Sequence, residues 1–134
     1  MESLIENLTR VLQAGPPLRL AVMFGSHARG QNRAGSDVDI AILPWDSSLP
    51  LKLELDLVAR ISTGLGREVD LVRIDQASTL LRWEIARDGV LLFADSPAEW
   101  VRFRANTASE HAEIRDALEQ AAELFRRRIA GPTP

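Results

Sequence analysis

Cysteine is absent from the 134 residues. That excludes disulfides, thiolate metal sites and cysteine nucleophiles, and it suits a reducing compartment, so cytoplasm is the expected location. Lysine is nearly absent as well: Lys52 is the only one among sixteen basic residues, the rest being arginine. Nineteen acidic residues bring the net charge to −3. Nonspecific affinity for nucleic acid comes from neutralising phosphates with basic side chains, so direct nucleic-acid binding is not expected. No apolar run approaches the ~20 residues that span a bilayer, and the opening Met1-Glu-Ser-Leu-Ile-Glu6 is acidic where a secretory signal is basic. Neither a membrane span nor a targeting segment is expected.

The remaining composition, 46% hydrophobic and 26% charged, is that of a soluble globular protein and excludes neither an enzyme nor a binding module. The length fits one domain with a core of its own. Leu4, Leu8, Val11 and Leu12 recur at helical spacing, with Glu2 and Glu6 near the favourable N-terminal end, until Gly15-Pro16-Pro17 stops the pattern. Leu18–Phe24 is nearly continuous in apolar residues, as expected of a strand covered on both faces. Residues 25–36 lack apolar periodicity and read as a loop, with room for a helical turn. A second strand covers Asp37–Leu43 and is closed by Pro44.

Leu51, Leu53, Leu55 and Leu57 alternate like a strand, yet Leu51, Leu55, Val58, Ser62 and Leu65 also fit a helical stripe. The length and the closing Gly64-Leu-Gly66 favour the helix. A third strand is expected over Glu68–Ile74, a helix over Ser78–Asp88 ended by Gly89, and a short fourth strand over Val90–Phe93. Ser96-Pro97-Ala-Glu99 matches a capping box with proline at the first helical position, and Thr107-Ala-Ser-Glu110 matches a second box. The C-terminal helical region is therefore expected as two helices, or as one with a break near Asn106. The alternation of elements implies an α/β fold, a small mixed or mostly parallel sheet flanked by helices.

Along a strand, side chains alternate between faces, so Asp37 and Asp39 project together while Val38, Ile40 and Ile42 point the other way. Two carboxylates that close repel unless a cation lies between them. Magnesium fits, because it takes hard oxygen ligands from one or two carboxylates plus substrate phosphates. Asp70 interrupts the apolar Val69-Asp-Leu-Val72, an expensive place for an unpartnered carboxylate. If its strand adjoins that of Asp37, three carboxylates could bridge two Mg2+ ions about 4 Å apart, the arrangement that serves in-line phosphoryl transfer. Gly25-Ser26, directly after a buried strand, reads as an anion cradle of backbone amides and a hydroxyl.

Gly25-Ser26-His27-Ala28-Arg29-Gly30, ten residues between Ser26 and Asp37, Ser36-Asp37-Val38-Asp39-Ile40, and later Val69-Asp70-Leu71-Val72 together resemble the minimal nucleotidyltransferases of the DNA polymerase beta superfamily. The resemblance covers about residues 18–93. It implies a minimal nucleotidyltransferase fold as a single domain over residues 1–130, with a core over about 18–94, C-terminal helices over about 97–129 and a tail at 131–134. It implies Mg2+ as cofactor, ATP as substrate and, as partner, a HEPN-domain toxin that the protein inactivates by transferring AMP to a tyrosine. By position, Asp37, Asp39 and Asp70 would be the catalytic metal ligands, with Gly25, Ser26, Arg29 and Ser36 on the nucleotide. The chain contains no tyrosine, so a tyrosine acceptor must belong to another molecule.

Other readings compete. Related folds modify small molecules such as aminoglycosides, though generally with an added acceptor domain for which about forty residues after Phe93 leave little room. A noncatalytic antitoxin could neutralise its partner by covering it. An isolated Asp-x-Asp can simply cap a turn. His27 reads as a loop residue near the site, His111 as exposed, and Trp45, Trp83 and Trp100 as core or interface. Arg126-Arg-Arg128 suits the negative end of a helix dipole. Ile114, Leu118, Ala121 and Phe125 form a stripe that faces its own domain or, if the helix outruns the sheet, joins a homo- or hetero-oligomer.

Overall fold

A computed structural model describes residues 3–30 and 37–131. Helix α1 (Leu4–Gln13) forms where the periodicity predicts it. The Ser3 hydroxyl caps it by accepting from the Glu6 amide at 3.1 Å, and Leu8 and Leu12 are fully buried. There follow β1 (Leu18–Phe24), a single turn α2 (Gly25–Ala28), β2 (Val38–Pro44), α3 (Leu51–Leu65) and β3 (Val69–Arg73). A 3-10 turn (Ile74–Gln76), α4 (Thr79–Asp88), β4 (Val90–Ala94) and α5 (Pro97–Ala130) complete the chain. The expected loop at 25–36 thus opens with a helical turn, while its second half, the first two residues and the tail at 132–134 lie outside the described residues.

The sheet is mixed, in the order β3-β2-β1-β4, with β2 and β3 parallel and β1 antiparallel to both β2 and β4. On one face, Leu8 and Leu12 of α1 and Leu57 and Ile61 of α3 pack against Met23, Val38, Ile40 and Ile42. On the other, Ile85 of α4 with Trp100 and Phe103 of α5 covers Leu20, Val22, Phe24 and Ala41. β1 is therefore sandwiched between two layers, as its unbroken apolar sequence requires.

Three expectations change. Segment 51–65 is a helix ended by Gly66 in the left-handed region (φ 66°), but the stripe that starts at Leu51 and Leu55 is not its buried face. Those two leucines are exposed, and Leu57 and Ile61, joined by the half-buried Val58 and Leu65, turn inward. The capping box at Ser96 does not form. The Ser96 side chain makes no cap hydrogen bond, the Glu99 amide donating instead to the Ser96 carbonyl at 3.1 Å, and the Glu99 carboxylate that would complete the box is engaged by Arg19, whose Nη2 donates to Oε1 at 2.9 Å and to Oε2 at 3.2 Å. There is also no break near Asn106: α5 runs unbroken for 34 residues. Thr107 is buried there and Glu110 pairs with Arg82 of α4, so neither side chain serves as a helix cap.

Arg73, at the end of β3, is the one charged residue among the described residues that is buried. Its guanidinium donates to Asp75 Oδ2 at 2.6 Å, Glu54 Oε1 at 3.1 Å, the Ser47 carbonyl at 2.8 Å and the Leu49 carbonyl at 3.4 Å. One fork thereby ties β3 to the approach loop and first turn of α3. Its carboxylate partners keep some contact with water (20% and 26% exposed), which discounts the loss expected for a fully buried pair. Arg73→Met is expected to lower the unfolding free energy by about 2–3 kcal/mol in urea titrations, by stranding two carboxylates and two carbonyls. Arg73→Lys should recover only part of that.

Candidate active site

The site begins with strand pairing. Asp39 on β2 lies directly opposite Asp70 on parallel β3 and opposite Phe24, the last residue of antiparallel β1. Side chains of cross-strand partners share a face. Asp39 and Asp70 therefore stand side by side on the face that α4 and α5 cover further along the sheet. Asp37 immediately precedes β2, two residues before Asp39 and so on the same side. Asp37 and Asp70 are exposed and Asp39 is half-buried, so Asp70 is not the buried carboxylate that its apolar neighbours suggested. β3 is an edge strand, and its outer residues meet water.

Gly25 follows Phe24 and opens α2 with φ 74°. A Cβ placed on it would run into the Asp39 carboxylate, so glycine is required twice over, by the backbone conformation and by the absence of space. Ser26, half-buried, occupies the first turn of α2, and the Arg29 amide closes that turn by donating to the Gly25 carbonyl at 3.2 Å. Phe24 at the N-cap offers the first-turn amides no side-chain acceptor.

The electrostatics follow from this crowding. Burial, then Asp70, then Asp37 push the Asp39 carboxyl above its ordinary range, while His27 and Arg29 pull it down. Four neighbouring side chains thus act on Asp39 through space. Arg29 also lowers Asp88 at the end of α4, after the larger effects of Arg87, so it faces both the carboxylate shelf and the neighbouring helix. Among the described residues no three acidic or histidine side chains converge as a finished metal cage does; the arrangement is an open shelf of hard oxygen donors.

Of the residues singled out from sequence, Asp37, Asp39, Asp70, Gly25, Ser26 and Arg29 are thus gathered at one end of β2, and His27 with them. Ser36 lies outside the described residues. Trp45 stands beyond the opposite end of β2, with the Arg19 guanidinium 5.0 Å from its ring centroid. Trp83 and Trp100 belong to the α4–α5 layer. His111 is not simply exposed: it is half-buried and stacks on Trp83 with 4.2 Å between ring centroids. Sequence reasoning missed the proximity of Asp88 to Arg29, which no spacing along the chain signals.

The family model described as polymerase beta, nucleotidyltransferase matches residues 6–98. A protein adenylyltransferase MntA from Aphanizomenon flos-aquae is 30% identical over 115 residues, which cover 79% of this chain and 77% of that protein. A protein adenylyltransferase MntA from Shewanella oneidensis is 34% identical over 95 residues, covering 69% and 68%. A crystal structure of a toxin–antitoxin with AMP-PNP superposes with a TM-score of 0.78 at 25% identity, over 93% of this chain and all of that one. The matched segment carries every aspartate of the shelf and the glycine pressed against it, and the chain belongs to the polymerase beta nucleotidyltransferase family.

Proposed function

We propose that this nucleotidyltransferase moves AMP from ATP to a tyrosine hydroxyl of a HEPN-domain toxin and so acts as its antitoxin. The observation that carries the reading is the register that sets Asp39 against Asp70, with Gly25 pressed on the same carboxylate. The MntA relatives and the toxin–antitoxin structure with AMP-PNP support the adenylyl donor and the toxin partner. The absence of tyrosine from the chain agrees with an acceptor on another molecule.

The donor set fits magnesium. Asp37, Asp39 and Asp70 offer only hard oxygens, the shelf is open enough for retained water and phosphate ligands, and a cation there would offset the burial and the like charges that raise the Asp39 carboxyl. Bound there, the metal would neutralise the triphosphate and acidify an attacking hydroxyl. The remaining work belongs to the chain. Gly25 and Ser26 receive the phosphates along α2, and Arg29 and Ser36 add contacts to the nucleotide. Asp70, outermost on the edge strand, aligns the tyrosine hydroxyl and accepts its proton. The phenolic oxygen then bonds to the α-phosphorus as the bond to the β-phosphate oxygen breaks and pyrophosphate leaves.

With ATP labelled at the α-phosphate, magnesium and the purified toxin, label is expected on a toxin tyrosine, whereas ATP labelled at the γ-phosphate transfers none. Asp39→Asn and Gly25→Ala, each still folded by circular dichroism, should lose on the order of 10³-fold or more in rate, about 4 kcal/mol of barrier. Toxin left unlabelled by wild type and variant alike would sink the reading.

Proton linkage gives a separate check. A carboxyl whose folded value lies above its unfolded one favours folding while protonated, and that contribution disappears as pH rises through the folded value. In metal-free buffer at neutral pH, Asp39→Asn should therefore melt above wild type, with the gap closing as pH falls into the ordinary aspartate range. Added magnesium should raise the melting temperature of wild type and leave that of the variant nearly unchanged.

A further inference from the structure

The outer half of α5 leaves the domain that holds its inner half. Trp100 and Phe103 pack on the sheet and Thr107 is buried, but from Glu113 to Ala130 every residue is exposed, a rod ~27 Å long at 1.5 Å per residue. In proteins most helical stability comes from packing of an apolar face, and this stretch has none within its own domain. The rod is not polar all round: Ile114, Leu118, Leu124, Phe125 and Ile129 lie along it with 45–69% of their surface in water. Next to its base, Leu80 of α4, His111, Ile114 and Leu118 line an apolar groove of about 490 Å³. Contiguous apolar surface of this kind marks an interaction site.

We infer that this face pairs with the same face of a second copy of the chain, the two α5 rods lying antiparallel about a two-fold axis. Two patterns along the rod are self-complementary. The first is shape. The groove sits at residues 111–118 and the bulkiest exposed knobs, Phe125 and Ile129, sit at the far end. An antiparallel overlap centred between Leu118 and Ala121 brings Phe125 of each copy opposite Ile114 of the other and Ile129 beside the groove, with Leu118 facing the small Ala121. Both grooves are filled by one symmetric operation, as an isologous interface requires.

The second pattern is charge. Glu113, Asp116, Glu119 and Glu123 precede the run Arg126-Arg-Arg128. Arg126 and Arg127 pair with Glu123 of their own helix, but Arg128 lies on the same flank of the seam as Glu113, and the same overlap lays Arg128 of one copy alongside Glu113 of the other, whereas a parallel pairing would stack the arginines on themselves. Six large apolar side chains per copy, counting Leu80, each with on the order of 100 Å² in water, would bury roughly 1,200 Å² in total, the lower end of stable interfaces. The aspartate shelf is on β2 and β3, while α5 packs chiefly on α4, β4 and β1.

Sedimentation equilibrium on the full chain alone, at micromolar to tens of micromolar concentration, tests this. A species of twice the 14.8 kDa chain mass is expected. Phe125→Glu and Leu118→Glu should each weaken it at least tenfold, with the melting of the monomer unchanged because both residues are solvent-exposed there. Glu113→Arg should weaken the dimer, and Glu113→Arg combined with Arg128→Glu should restore it. A wild-type chain that stays monomeric overturns the inference, as does a dimer indifferent to both glutamate substitutions. A monomer whose Phe125→Glu variant fails to bind the toxin overturns it too, by assigning the face to the toxin. Transfer assays on the aspartate variants are independent of all these outcomes.

Discussion

The parallel pairing of β2 with β3 is the constraint on which the rest depends. It aligns Asp39 with Asp70, and the antiparallel pairing of β2 with β1 puts Phe24 on the other side of the same residue. Gly25 then has nowhere to go but against the Asp39 carboxylate. A slip of one residue between β2 and β3 would turn one of the two aspartates onto the face occupied by α1 and α3, where a charge has no partner. The apolar residues that alternate with the aspartates, Val38, Ile40 and Val69, are buried on that face and so hold the register. The core positions the chemistry by being unable to accept it.

The cost of the arrangement is visible in Asp39. Burial, and after it the like charges of Asp70 and Asp37, raise its carboxyl, and His27 and Arg29 offset the effect without cancelling it. A protein selected only for stability would not keep such a cluster; strain concentrated at one place in an otherwise consistent structure is a mark of function. Compensation lies elsewhere, in two apolar layers and in the Arg73 fork, where a buried cation meets two carboxylates and two carbonyls. The two electrostatic clusters are opposites: one gathers acceptors around a buried cation, the other gathers carboxylates that His27 and Arg29 offset only in part.

Much of this was legible beforehand because local rules and the tertiary fold agree. The unbroken apolar run of β1, the Gly-Ser after it and the Asp-x-Asp that opens β2 each specify a local geometry, and the sheet uses them unchanged. Where the reading failed, a long-range partner had captured a side chain. Glu99 pairs with Arg19, eighty residues away, and so does not complete the box at Ser96; Glu110 pairs with Arg82 and the helix runs on through Asn106. The buried face of α3 was misplaced because its leucines fit two stripes equally well, and only the sheet beneath selects Leu57 and Ile61.

The sequence by itself determined the elements, the alternation that hides Val38 and Ile40 while presenting Asp37 and Asp39, and the glycine beside them, because each depends on residues a few positions apart. Only the tertiary structure decided that Asp70 joins them, since adjacency of β3 and β2 is a matter of strand order across a connection that holds the 15 residues of α3. It also decided that Asp70 faces water rather than the interior, because β3 is an edge. And it decided that α5 outruns its own sheet: helical periodicity is the same in a stripe that is covered and in one that is not, and how far a helix extends past its support is fixed by where the sheet ends.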